Sequence, residues 1–328
     1  MSLDGVIAFL GPAWDRTKAI MEQSLESNIA LLEAVNHRLL ERSGKLLRPI
    51  LCLLSATACM PERPLPEDSC RFAAASELLH NSSLLHDDVV DGSSQRRGSP
   101  TVQSVLGGPA AVLIGDFWLV RAIYVVLSSD RYSDVATRIF AKTLSDLAEG
   151  EMLQLEKTGT GDTTEADYER IIYCKTASLF EAASLTGALS VGAPEAWQEG
   201  LRRYAVALGK AFQIRDDMMD YGDGGDIGKP MGVDLREQKI TLPLLGALAS
   251  LPPEEASALR GRVLKLAERP DYEADIRRIV AEKDGLGYAR QRMDALIGEA
   301  IEALSALPES PGRGWLQHIA LYVGAREL

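Results

Sequence analysis

Two short stretches of the chain carry closely spaced carboxylates: Asp87, Asp88 and Asp91 in LLHDDVVDG, and Asp216, Asp217 and Asp220 in IRDDMMDYG. On a helix, positions i and i+4 share a face and i+1 lies about 100° round, so each stretch directs two or three carboxylates to one side of a helix end. Apolar helical sequence precedes both, Leu84 and Leu85 in one and Phe212 and Ile214 in the other, which puts the carrier helices largely inside the protein. Like charges four apart repel by roughly 0.2–0.5 kcal/mol in water and by more when desolvated, so each cluster calls for a cation. All-oxygen ligands select Mg2+, which keeps positions open for water and phosphate oxygens. Six carboxylates facing each other would form a clamp for a metal-bridged diphosphate. Two solvated acidic helix ends are the plainer explanation of one cluster alone; repetition with matching apolar flanks argues against it.

The elements that must position these groups are helices. Apolar residues recur three or four apart, as in Ile29, Leu32, Val35 and Leu39 and in Leu201, Tyr204, Leu208 and Ala211, while period-two runs bounded by turn signals are missing. The expected class is all-α, which excludes strand-dependent nucleotide folds. Breaks rich in Gly, Pro, Ser or Asp fall at Pro61–Asp68, Gly107–Pro109, Ser128–Asp134, Thr158–Thr164, Gly192–Pro194, Tyr221–Pro230, Leu251–Glu254 and Ser310–Gly314. All are short, so about ten helices packed as a single domain over residues 1–328 are expected.

Composition sets the bounds. The chain has 328 residues, 47 acidic against 35 basic side chains, a net charge of -12 and 46% hydrophobic residues. That apolar content suffices for a core and excludes general disorder, and the acidic surface excludes nucleic acid as a partner. Cys52, Cys59, Cys70 and Cys174 form no CxxC pair and no disulfide framework, which fits a reducing compartment. The N-terminal stretch has Asp4 and no basic region, and no apolar run approaches the roughly 20 residues of a membrane span, so a cytoplasmic protein without such a span is expected.

Further motifs surround the clusters in order: SGKLLRP, ELLHNSSLLHDDVVDGSSQRRG, VLIGDFW, GEMLQL, KTASLF and FQIRDDMMDYGDGGDIGKPMGVDLREQKITLPLL. Through them, from about Gly44 to Leu245, the chain resembles the trans-polyprenyl diphosphate synthases, of the long-chain octaprenyl- or heptaprenyl-like type. The resemblance implies the isoprenoid synthase fold, antiparallel helices around a deep central cavity with both Asp-rich motifs at its mouth. It also implies a homodimer and a Mg2+-dependent condensation of an allylic diphosphate with isopentenyl diphosphate, with three ions per active site as usual in the family and Mn2+ as a substitute.

Residue roles follow from the same resemblance. Asp87 and Asp91, with Asp88 nearby, hold metal for the allylic diphosphate; Asp216 holds another ion, supported by Asp217 and Asp220. Lys45, Arg48, His80 and Arg97 match the set for the isopentenyl diphosphate, Arg96 the allylic contact, and His86 lies behind them. Lys175 offers charge to phosphate, while the oxygens of Thr176 and Gln213 offer negative dipoles to a developing carbocation. Lys229 closes over the diphosphate, with Lys239 on the same side. Asp87, Asp91, Lys175, Thr176, Gln213 and Asp216 form the expected catalytic set. The family commonly has GGK where this chain has Ser43-Gly44-Lys45, and the loop between Asp220 and Lys229 looks one residue short.

Product length is read from the helix leading to Asp87. Ser83 and Ser82 lie four and five residues earlier and Leu79 eight earlier, one to two turns deeper. Two serines block little, so a product beyond C20 is expected, stopped by a floor for which Phe117, Trp118 and Tyr124 are candidates. A farnesyl or geranylgeranyl synthase with a shorter product is the alternative. A class I terpene cyclase carries a different second metal motif, and an HD-type phosphohydrolase needs more histidines than the 4 present. A non-catalytic subunit of a heteromeric synthase would be expected to have lost one or both Asp clusters.

Overall fold

Helices form where apolar residues recur at helical spacing, and the computed structural model of the chain describes residues 3–42, 44–61, 64–96, 98–222 and 232–325. The helices are α1 (Asp4–Leu10), α2 (Pro12–Ser24), α3 (Ala30–Glu41), α4 (Leu47–Cys59), α5 (Glu67–Val90), α6 (Val102–Leu106), α7 (Gly108–Leu127), α8 (Ser133–Thr160), α9 (Glu165–Ile172), α10 (Ser178–Ser190), α11 (Glu195–Met219), α12 (Val233–Arg236), α13 (Leu242–Ala249), α14 (Pro253–Leu264), α15 (Tyr272–Glu282), α16 (Gly285–Ala303) and α17 (Pro311–Ala325). Sheet among the described residues is confined to one antiparallel hairpin, β1 (Gln95–Arg96) against β2 (Ser99–Pro100). Arg97 and Lys229 lie outside the described residues. Two compact units account for the packing: Met1–Lys142 with Ala182–Arg202 and Ala306–Leu316, and Thr143–Glu181 with Arg203–Ser305 and Gln317–Leu328.

In the first unit α5 packs against α7, α4 and α2. α4 is buried along most of its length, and Ile50 through Leu54 are fully buried. α5 buries Phe72, Ala73, Ala74, Ala75, Leu78 and Leu79 before turning polar toward its acidic end. Burying each of the larger side chains contributes roughly 1.5–3 kcal/mol, and the alanine run lets neighbouring helices approach closely. At the other end, Asp68 in the first turn accepts from the Ser129 hydroxyl (2.7 Å) and from Arg71 (3.1 Å). α7 is tied to α3 by Trp118 Nε1, which donates to Asn36 Oδ1 at 2.8 Å.

In the second unit α13, buried along almost its whole length, packs against α16, α15, α14 and α9. α11 brings Leu208, Ala211, Ile214 and Met218 inward at spacings of three and four, and so fixes which way its acidic end faces. A π-helical turn, Tyr173–Ala177, interrupts the run between α9 and α10; such turns are rare and recur at functional sites.

Three details differ from the sequence reading. Short helices raise the number above about ten, because breaks of a few residues each start a new helix. Ser310–Gly314 is not a loop but the entry of α17: Pro311 opens the helix, where its missing N–H is no loss. α7 reaches 20 residues and is long and apolar enough to cross a membrane by length and composition, so the expectation that no apolar run approaches that length was too strict. Its inner face is packed in the protein, with Ala111, Ile114, Trp118, Ala122, Val125 and Val126 buried.

Candidate functional site

The first acidic cluster occupies the last turn of α5. Asp91 caps the helix, and the Gly92 and Ser93 amides return to the Val89 and Asp88 carbonyls (3.3 and 3.0 Å). This closing turn needs a left-handed residue, and Gly92 supplies it with φ 64°. The three carboxylates thus sit at the negative end of the helix dipole, and the last turn contains no basic residue. Only Asp88 is buried, at 5% exposure, and its Oδ1 accepts from Arg96 Nε at 2.7 Å. Burial pushes its carboxyl up and the Arg96 charge opposes the shift. Asp87 is half-buried and Asp91 exposed, so these two are the ones turned toward solvent.

Around them, His86 Nε2 lies 3.2 Å from Asp116 Oδ1 and 3.4 Å from the Val112 carbonyl. A Cβ on Gly115 would come within 2.4 Å of that nitrogen, so the glycine makes room for the imidazole. His80 and Arg48 are half-buried and Lys45 exposed. The Ser82 hydroxyl donates to the Gly115 carbonyl at 2.9 Å, Ser83 donates to the His80 carbonyl at 2.9 Å, and Leu79 is buried. Of the candidate floor residues, Trp118 is buried and Phe117 half-buried. Tyr124 is 61% exposed and points to the surface, so it forms no floor here.

The second cluster ends α11, again without a basic residue in the last turn. Its members differ sharply. Asp217 is 4% exposed; its Oδ2 accepts from the Tyr168 hydroxyl (2.6 Å) and its Oδ1 from Gln213 Nε2 (2.8 Å). Gln213 Oε1 in turn accepts from the Thr176 hydroxyl at 2.7 Å. Asp220 receives the backbone amides of Val233 (2.8 Å) and Asp234 (3.0 Å), holding the start of α12. Asp216 is half-buried. Lys175, beside Thr176 in the π turn, donates to Gln154 (2.9 Å) and pairs with Glu151 (2.6 Å). Lys239 pairs with Glu237 at 2.5 Å. A cavity of about 100 Å³ is lined here by Lys157, Lys175, Lys239, Tyr168, Gln213 and Asp217, among others. Burial is the main force raising the Asp217, Asp220 and Asp234 carboxyls, Asp234 to about 7.

Residues 29–282 match the sequence profile of the family described as Polyprenyl synthetase. The chain is a member of the polyprenyl synthetase family. Its members are prenyltransferases. The chain is 39% identical over 294 residues to the all-trans-nonaprenyl-diphosphate synthase (geranyl-diphosphate specific) of Rhodobacter capsulatus, covering 89% of this chain and 88% of that protein. It is similar in structure to a decaprenyl diphosphate synthase from Rhodobacter capsulatus, with TM-score 0.92, 34% identity and 100% of both chains covered. A polyprenyl synthase from Caulobacter crescentus, determined in complex with calcium and isoprenyl diphosphate, has TM-score 0.89 and 33% identity over 100% of this chain and 98% of that one. The all-α isoprenoid synthase fold expected from the sequence is thereby established.

Each acidic cluster of this polyprenyl synthetase, taken by itself, suits hard divalent ions: it offers carboxylate oxygens at a dipole-negative helix end with no basic residue in the last turn. Among the described residues no three His, Cys, Asp or Glu side chains converge as a ready-made cage. Sequence reasoning missed Tyr168, Asp234, Glu151 and Gln154. GEMLQL does carry Glu151 and Gln154 three apart on one helix face, a spacing that can hold one lysine between them. Tyr168 gives no such signal, since an amphipathic helix buries tyrosines for packing alone.

Proposed function

We propose that the chain is a long-chain trans-polyprenyl diphosphate synthase. It condenses an allylic diphosphate (geranyl, farnesyl or geranylgeranyl) with isopentenyl diphosphate, head to tail (1′-4), giving an all-trans product longer than C20. Family membership supports the reaction, and the nonaprenyl and decaprenyl names of similar proteins support the length. The observation that carries the site assignment is the pair of acidic clusters at helix C-termini with no basic residue in either last turn.

Bound divalent metal, Mg2+ in up to three positions or Mn2+, would supply the positive charge that makes diphosphate a leaving group. Asp87 and Asp91 would hold it in the first cluster, with Asp88 kept in place by Arg96, and Asp216 would hold it in the second, supported by Asp217 and Asp220. Lys175 adds charge for the allylic phosphates, with Arg96 and Lys229 on the same substrate and Lys239 alongside. Lys45, Arg48, His80 and Arg97 retain the diphosphate of isopentenyl diphosphate. As the allylic carbon–oxygen bond breaks, the oxygens of Thr176 and Gln213 present fixed dipoles to the cation without attacking it. The alkene of isopentenyl diphosphate forms the new bond, and the departed diphosphate removes the proton. Ser82, Ser83 and Leu79 let the lengthening chain pass. The working form is a homodimer in the cytoplasm.

The test is incubation of the purified chain with farnesyl diphosphate, labelled isopentenyl diphosphate and Mg2+, followed by sizing of the products. Products beyond C20 are expected, and Asp87→Ala or Asp216→Ala should cut turnover by about 100-fold or more while thermal unfolding is retained. No metal-dependent elongation, or near-normal rates in both variants, would refute the reading.

A further inference from the structure

Asp217 is enclosed. At 4% exposure, with one oxygen receiving the Tyr168 hydroxyl and the other the Gln213 amide, it has spent its most accessible lone pairs on the fold. Asp216, one position earlier, is half-buried. Both Asp217 oxygens accept in this arrangement, so Gln213 turns its Nε2 toward Asp217 and its Oε1 away, onto the Thr176 hydroxyl. Thr176 cannot enforce that sense, because a hydroxyl either donates or accepts. The polarity of the chain Thr176–Gln213–Asp217–Tyr168 is therefore set at its Asp217 end.

We propose that Asp217 and Tyr168 are positioning residues that fix the direction of the Gln213 amide dipole, leaving Asp216 as the ion-holding carboxylate of this helix end. The proposal rests on the synthase reading for its consequence: the Gln213 oxygen faces developing positive charge only in this orientation. In Asp217→Asn the side chain gains a donor, and the Gln213 amide can turn over. A compensated variant, Asp217→Asn with Gln213→Glu, restores every direction: Tyr168 donates to the Asn oxygen, the Asn amide donates to the Glu carboxylate, and Thr176 donates to its other oxygen.

Two measurements on the full chain test this: steady-state kinetics with farnesyl and isopentenyl diphosphates, and calorimetric binding of Mg2+ with inorganic diphosphate. Tyr168→Phe should lower kcat about 10-fold and Asp217→Asn about 100-fold, with KM values and the Mg2+-diphosphate affinity within about 2-fold of the parent. The compensated variant should regain at least about 10-fold over Asp217→Asn. Weakening of Mg2+-diphosphate binding by about 10-fold or more in Asp217→Asn would make Asp217 a ligand and overturn the proposal. An unchanged kcat in Tyr168→Phe would overturn it as well. An inactive parent would remove the synthase reading instead, and the binding comparison would still decide the role of Asp217.

Discussion

A carboxylate in the last turn of a helix meets the negative pole of the dipole, and burial adds a second penalty against its charge. Asp220 carries both burdens, and Asp234 carries the second, raised to about 7 first by burial and then by the Asp220 charge, against Lys239. The fold thus retains protons that the unfolded chain releases near pH 4, so between roughly pH 4 and 7 unfolding releases protons and stability falls as pH rises. Carboxyls lowered by good partners, such as Asp167 in the capping box of α9, lose their contribution only at more acidic pH and do not act in this window. Metal-free protein should show a melting temperature that drops from pH 5.5 to 8, and Asp234→Asn should flatten the drop. Mg2+ should stabilise more at pH 8 than at pH 5.5. A flat or rising wild-type profile would contradict the assignment. The clusters were legible in the sequence because repeated acidic spacing survives without coordinates. The division of labour within DDMMD was not, since it depends on Tyr168 and on amides of α12 that only folding brings to Asp217 and Asp220.

At the scale of elements, what matters is where α5 stops. A further turn of helix would turn Asp91 into a mid-helix position and move the carboxylates off the end. Gly92 enforces the stop, with its φ of 64° and open space where a side chain would be. Gly92→Ala therefore meets no clash and should cost about 1–2 kcal/mol of stability through the left-handed conformation alone, measured by urea unfolding. A cost near zero would show that the closing turn does not determine the helix end. Helices were readable from periodicity wherever Gly, Pro and Ser clusters separated them, as at Gly107–Pro109 and Gly192–Pro194. Pro311 misled because proline marks helix entries as well as breaks, and the π turn at Tyr173–Ala177 left no mark in the apolar pattern.

For the whole molecule the unexplained feature is the outer face of α7. Leu113, Val120, Tyr124 and Leu127 are 68%, 50%, 61% and 53% exposed, and half-buried Phe117 completes a row spaced four, three, four and three residues apart. That 3.5-residue rhythm is the seam of a helix packed against another helix, and a chain of net charge -12 would repel its copy unless apolar area overcame the repulsion. The inner face of the same helix is already filled by its own unit, so the exposed row is free to meet a second copy. Leu113→Glu with Val120→Glu puts two charges into the row without touching the buried side. Light scattering after size exclusion should find a dimer for the parent and a monomer for the double variant, with helical circular dichroism unchanged. A variant that stays dimeric would place the interface elsewhere, and a parent that is monomeric at micromolar concentration would leave α7 without a self-association role.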